Sequence, residues 1–199
     1  GEKMKKIILT VFAATSLLLY STPSFAFSLS VGVPVGSTIT AGVDPWGHKN
    51  EADGTSGYFL GVQLPFGLGL GMDSHKTKLK DTTDNNLETS MYNLYYQLPV
   101  PVVSLIVGLG TGKQTLECST CAEGTMYSYK EDGTDYTENI GYKPGSVTQW
   151  YTSIGFPIIP FFDIHLSYRS ITSKNIEYGG ATKLDFSSTI TGIGLAFNF

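Results

Sequence analysis

The sequence predicts an all-β fold, an eight-stranded antiparallel up-and-down barrel that crosses a membrane. Three features carry this: the alternation of the last strand, the map of charge, and the placement of proline. The final fourteen residues, Phe186 to Phe199, hold no charge and end on an aromatic carboxyl terminus. Counting back in twos puts Phe199, Phe197, Leu195, Ile193, Thr191 and Thr189 on one face, with Asn198, Ala196, Gly194, Gly192, Ile190 and Ser188 on the other. Period-two alternation means a strand, one face suited to lipid and the other to a cramped interior.

Charged residues are absent from 27–43, 54–72, 89–112, 144–162 and 186–199 and dense between these stretches. A soluble sheet scatters charge along its wetted face. Strands that avoid charge on both faces fit a barrel with hydrocarbon outside and a nearly closed interior. The middle windows exceed one strand and carry proline near their centres: Leu64-Pro65-Phe66, Leu98-Pro99-Val100-Pro101 and Phe156-Pro157-Ile158-Ile159-Pro160. Proline suits a tight turn and not a paired central strand, so each window reads as a hairpin.

Residues 1–26 are read as a non-native start, Gly1-Glu2-Lys3, followed by a cleaved signal peptide. Lys5 and Lys6 form its basic end, Ile7 to Tyr20 its apolar stretch, and Ser24-Phe25-Ala26 the small-residue cleavage site. The domain then runs from 27 to 199. Its removal takes 13 Lys+Arg to 10 and 17 Asp+Glu to 16, for a net charge of −6. An acidic chain with one arginine is a poor partner for nucleic acid.

In order, strand one covers about 27–43, and a loop Asp44 to Ser56 follows. Strands two and three, about 57–64 and 66–74, flank Pro65; strands four and five, about 88–98 and 102–114, flank Pro99 and Pro101. The longest loop, about 115–146, precedes strands six and seven at about 147–157 and 161–174, and a loop 175–185 leads to the eighth. Short turns on one side and long polar loops on the other match the two rims of a bacterial outer-membrane barrel. Tyr58, Tyr92, Trp150 and Tyr168 fall near the outer rim and Phe27, Phe66, Phe162 and Phe199 near the inner one, as aromatic girdles do. Inward positions are mostly Gly, Ser, Asn and Gln, which suits an interior only wide enough for side chains. Pro34 inside strand one is expected to sit at a bulge.

With the leader, four hairpin-like units and the terminal Gly-Leu-Ala-Phe-Asn-Phe, the chain resembles small eight-stranded outer-membrane barrels of the OmpX, OmpW and OmpA-domain type. The resemblance implies residence in the bacterial outer membrane among its lipids. It also implies insertion by the barrel assembly machinery, with Phe197 and Phe199 in the signal read. Fold alone does not transmit function, since such barrels include adhesins, structural proteins, narrow channels and lipid-modifying enzymes.

Strand seven breaks the charge-free rule. Asp163, His165, Ser167 and Arg169 alternate on its inward face, and at about 3.3 Å per residue Asp163 and Arg169 lie roughly 20 Å apart, too far to pair. Their partners are expected on other strands, with Gln97, Gln63 or Asn198 toward the lower end. The cluster reads either as a hydrogen-bonded plug or as a polar constriction for a small solute. His165-x-Ser167, with Glu177, is similar to the His-x-Ser pair of an outer-membrane lipid A deacylase. Inward parity, Tyr168 in place of the expected Asn and a loop position for Glu177 all weigh against that.

In the longest loop, Cys118 and Cys121 are expected to form a disulfide in an oxidising compartment. Tyr127, Tyr129, Tyr136 and Tyr142 lie in the same loop among six acidic residues, a composition suited to surface recognition. No cofactor or metal motif is found. The expected role is non-enzymatic, either envelope scaffolding or an extracellular ligand held by the loops, with a narrow channel for small or hydrophobic solutes as the alternative.

Overall fold

The computed structural model describes residues 27–41, 50–80, 85–100, 102–117, 126–131, 134–139, 141–174, 176–178 and 182–199. The signal-peptide reading and Cys118 and Cys121 lie outside these residues. The strands are β1 (Ser28–Ile39), β2 (Ala52–Gln63), β3 (Leu68–Leu79), β4 (Asn86–Leu98), β5 (Ser104–Glu117), β6 (Met126–Glu131), β7 (Thr134–Asn139), β8 (Tyr142–Lys143), β9 (Gly145–Ile159), β10 (Phe162–Ser173), β11 (Ile176–Tyr178), β12 (Thr182–Leu184) and β13 (Ser188–Asn198). Eight of them close into an antiparallel barrel in the order β1-β13-β10-β9-β5-β4-β3-β2. Closure pairs the edges that an open sheet would expose to hydrocarbon.

The outer wall is apolar. Leu29, Val31, Val33 and Val35 on β1, Leu60 and Val62 on β2, Leu94 on β4, Leu166 on β10 and Ile193 and Leu195 on β13 are all exposed. So continuous a belt exceeds anything a water-soluble monomer carries and marks a surface wetted by acyl chains. Aromatic residues bracket it. Tyr58, Tyr92, Trp150 and Tyr168 stand exposed toward the long-loop end, where the Trp150 and Tyr168 rings lie 5.7 Å apart. Phe27 and Phe199 meet at 6.3 Å and Phe162 and Phe197 at 4.4 Å toward the short-turn, periplasmic end. The Phe199 N–H donates to the Phe27 carbonyl at 2.8 Å, which binds the end of the chain to its start.

The interior fills by interlocking large and small residues. A Cβ at Gly69 would run into the Tyr95 ring, and one at Gly108 into the Tyr151 ring, so each glycine is the socket for a tyrosine from a neighbouring strand. Phe59, Met91, Val147, Ile171 and Ile190 form an apolar layer above them.

Three sequence expectations need correction. First, the strands run past the charge boundaries: β2 begins at Ala52 rather than near 57, β3 reaches Leu79 rather than 74, and β5 reaches Glu117 rather than 114. Charge ends the hydrocarbon, not the strand. Above the membrane the outer face meets water, and Lys76 binds Glu117 at 2.6 Å there while His75, Thr77 and Leu79 stay buried inside. Second, Pro157 is not in a turn; it sits in β9 opposite Asp163, and the chain reverses at Pro160-Phe161. A register shift between Phe162 and Asp163 leaves Ile158 unpaired, and this bulge is what admits the proline. Third, the longest loop is not structureless, because β6 pairs with β7 and β8 joins β11 and β12 in a small sheet. The Pro34 bulge is found as expected, with Val35 the extra residue between the Pro34–Gly192 and Gly36–Thr191 pairs.

The small sheet caps the barrel. Leu79, Leu87 and Leu116 at the tops of β3, β4 and β5 pack with Ile176, Leu184 and Phe186 in one buried cluster. Ile39 and Tyr142 lean on it.

The tyrosine sockets give a direct test. Gly69→Val is expected to destabilise the barrel by about 1–3 kcal/mol in urea unfolding from detergent micelles, the usual cost of overpacking. Adding Tyr95→Ala to the same chain should recover part of that loss, and strictly additive effects of the two changes would show that they do not share the space.

Candidate functional site

The polar centre of the barrel is built on β10, whose inward residues descend from Arg169 through Ser167 and His165 to Asp163. Room for them comes from the flanking strands: His165 lies between Gly155 of β9 and Gly194 of β13, and Ser167 between Ser153 and Gly192. Wide side chains on β10 thus face small ones on both sides.

Arg169 is 6% exposed and its Nη1 donates to Asp73 Oδ2 at 2.8 Å. Asp73, 1% exposed, comes from β3, four strands away in either direction around the barrel, so this bond spans the diameter. The guanidinium is held between two aromatic faces, with its carbon 3.8 Å from the centre of the Phe59 ring and 4.4 Å from that of Tyr151. A weakly hydrated planar cation tolerates such a slot, where the ring faces supply negative potential. Gln149 Nε2 then donates to Asp73 Oδ2 and to Asn93 Oδ1, each at 2.5 Å. Five residues from β3, β4, β9 and β10, counting Tyr151, therefore meet in one neutral network.

Below it, His165 Nδ1 lies 3.2 Å from the Ser153 hydroxyl, and its Nε2 lies 3.9 Å from Asp163 Oδ2. Nearer the periplasmic end Gln63 Nε2 donates to Gln97 Oε1 at 2.5 Å. Between these levels is a cavity of about 60 Å³, bordered by Ser30, Tyr95, Ser153, His165 and Arg169, with space for a few waters at most. Above Arg169 the Phe59 layer and then the apolar cap close the bore.

Of the residues singled out in the sequence, Asp163, His165, Ser167 and Arg169 share the lumen wall of β10. Gln97 is apart from them, bound to Gln63 across β2 and β4 rather than to β10. His165 engages Ser153 and not Ser167, both within the lumen, while Glu177 stands in the small sheet at the long-loop end, opposite Lys183 and Lys143. No Ser-His-acid line faces lipid among the described residues. Tyr127, Tyr129 and Tyr136 fall on one hairpin, with Tyr129 opposite Tyr136 in register. Tyr142 belongs elsewhere, half-buried against the cap.

Sequence reasoning missed Asp73, Phe59, Tyr151 and Gln149 as the surroundings of Arg169. Parity alone reaches Asp73, because Gly67, Gly69 and Gly71 precede it at steps of two on the inward face. It lies within the strand expected over about 66–74, but strand seven alone was read as carrying inward charge.

No family model and no curated relative matches the sequence. Among solved structures, the chain is similar to Neisserial surface protein A, at 13% identity, covering 88% of this chain and 98% of that one with a TM-score of 0.57. The outer membrane protein OprG of Pseudomonas aeruginosa follows at 11% identity, 88% and 96% coverage and 0.48. Ail, the attachment invasion locus protein of Yersinia pestis, follows at 15%, 87% and 95% and 0.43. At these identities the likeness concerns the fold, and the first of the three carries it.

Removing one partner of the buried pair separates its cost from its role. Arg169→Met is expected to destabilise the barrel by about 3–5 kcal/mol, because the buried Asp73 carboxylate loses its cation and keeps only the Gln149 amide. Asp73→Asn in the same chain should restore most of that in urea titrations; no recovery would show that the arginine acts through packing alone.

The closed eight-stranded ring, its apolar belt and its aromatic rims together make this chain a small outer-membrane β-barrel in fold.

Proposed function

We propose that this protein is an integral barrel of the bacterial outer membrane that serves as a rigid, non-enzymatic stand for extracellular contact or envelope scaffolding. The single observation that supports the reading most is the occupied bore. Gln63–Gln97, the Arg169–Asp73–Gln149–Asn93 network and the Leu79–Phe186 cap stand at successive heights, with about 60 Å³ left between them. Such a filled cylinder is stiff, and stiffness is what a scaffold lends to the loops it carries. The pairing of β6 with β7, on which Tyr127, Tyr129 and Tyr136 fall, supports this hairpin as the contact element. Insertion by the barrel assembly machinery through Phe197 and Phe199, a leader ending at Ala26 and a Cys118–Cys121 disulfide belong to the same reading.

Passage of solute would require the Arg169 pair to part, since it crosses the full width of the bore. Conductance in planar bilayers is therefore expected to stay at background for the wild-type protein. Cells displaying it should adhere to epithelial monolayers above a vector control, and replacing residues 118–141 with a short Gly-Ser link should abolish adhesion while the barrel still migrates as folded before boiling. Steady unitary currents, or adhesion unchanged by the replacement, would overturn the reading.

A further inference from the structure

The barrel seam between β1 and β2 is only half zipped. Their ladder holds five pairs, from Ser28–Gln63 to Gly32–Phe59, whereas β1 pairs with β13 through eleven positions up to Ile39–Ser188. Above Gly32 the two strands share no ladder. Pro34 has no N–H to give, and the Val35 bulge turns the next residues out of register. On the facing strand Gly54 and Gly57 adopt φ of +112° and +143°, and the run from Ser56 to Tyr58 is exposed at every position instead of at alternate ones.

The parted seam leads up to a rim cavity of about 720 Å³. Its wall combines apolar Ile39 and Leu184 with charged Lys183, Asp185 and Glu51. Glu51 is neutralised by Lys80 at 2.8 Å. Lys183 forms no ion pair among the described residues, although Glu177 stands opposite it in the β11–β12 ladder. Asp185 accepts from the Ser187 N–H and hydroxyl through Oδ1 alone. Two further polar atoms of the same wall, Ser37 Oγ and Asn50 Nδ2, are shut from solvent without a hydrogen-bond partner.

We infer that this cleft binds a zwitterionic phospholipid, with phosphate toward Lys183, ammonium toward Asp185, and acyl chains lying along Val33, Val35 and Tyr58 at the open seam. The charge pattern selects it: one cation without an ion pair among the described residues and one half-satisfied carboxylate share a cavity whose third charge is cancelled. The position selects a membrane amphiphile, since the cavity wall at Ser37 to Ala41 continues the same strand end that carries exposed, lipid-facing Val33 and Val35. A rim that settles around a polar headgroup also gives Ser37 and Asn50 the partners they lack. This site is separate from the loop contact proposed above and stands or falls without it.

Native mass spectrometry of the full chain, released from detergent micelles doped with either phosphatidylethanolamine or phosphatidylglycerol, tests the inference. One phosphatidylethanolamine is expected to remain bound, at least fivefold more often than phosphatidylglycerol, which brings no ammonium for Asp185. Lys183→Gln and Asp185→Asn, both at the solvent-facing rim and checked for folding by heat-modifiable migration, should each reduce retention at least fivefold. Locking the seam with a Val33→Cys, Tyr58→Cys disulfide should reduce it as well, and reduction of that disulfide should restore it. Equal retention of the two lipids, or retention indifferent to both rim variants, would overturn it.

Discussion

Hydrocarbon offers no partner to a peptide group, and that constraint organises the molecule from its ends inward. Each N–H and C=O at membrane depth needs a hydrogen-bond partner, so the sheet closes, and the β1–β2 seam departs from this above Gly32. Closing eight strands fixes the diameter, and the diameter leaves an interior of one side chain's width. From there the packing is arithmetic of volume. Tyr95 and Tyr151 fit because Gly69 and Gly108 give way to them, and His165 fits because Gly155 and Gly194 flank it. Some inward glycines are therefore matched to specific large residues, while others, such as Gly32 and Gly194, let neighbouring backbones come close.

Within so narrow a cylinder a charge is tolerated on strict terms. Arg169, the chain's one arginine, is removed from water, and desolvating an ion costs more than a single contact returns. Three kinds of interaction offset that cost together: a carboxylate at 2.8 Å, two aromatic faces, and a glutamine that ties the same carboxylate to Asn93. Replacing the pair with apolar residues of equal volume is often neutral for stability, so stability alone does not explain it. What the pair does provide is alignment. Because Asp73 and Arg169 stand on opposite walls, a slip of either strand by one residue turns one of them into lipid, and the register of the whole ring is thereby set against error.

How far the sequence revealed this follows the same physics. The count of strands, the outward faces and the Pro34 bulge were legible because each rests on local rules: alternation, exclusion of charge, the missing proline N–H. The strand tops were not, because the same exclusion was applied above the membrane, where water lies outside and Lys76 can sit on a perfectly regular strand. Pro157 was misplaced because a bulge at Ile158 is invisible without its partner strand. In the lumen, β10 disclosed its four inward residues through parity, while the identity of their partners depends on which strands face each other across the bore. Gln97 was drawn toward β10 for want of that knowledge and in fact meets Gln63.

The two halves of the barrel consequently differ in how they are held. Below the Arg169 level all eight strands are laddered to both neighbours and the interior is bonded side chain to side chain. Above it, one seam parts after Gly32 while the other ladders continue, and an apolar cluster joins β3, β4 and β5 to the short strands β11 and β12. An apolar cap is a non-directional fastening: it resists separation yet specifies little about strand spacing, unlike a hydrogen-bond ladder. The missing ladder therefore lies at the long-loop end beside β1 and β2, and the Arg169 network stands between it and the short-turn half. A barrel arranged this way can adjust its outer rim to what it meets without opening its bore.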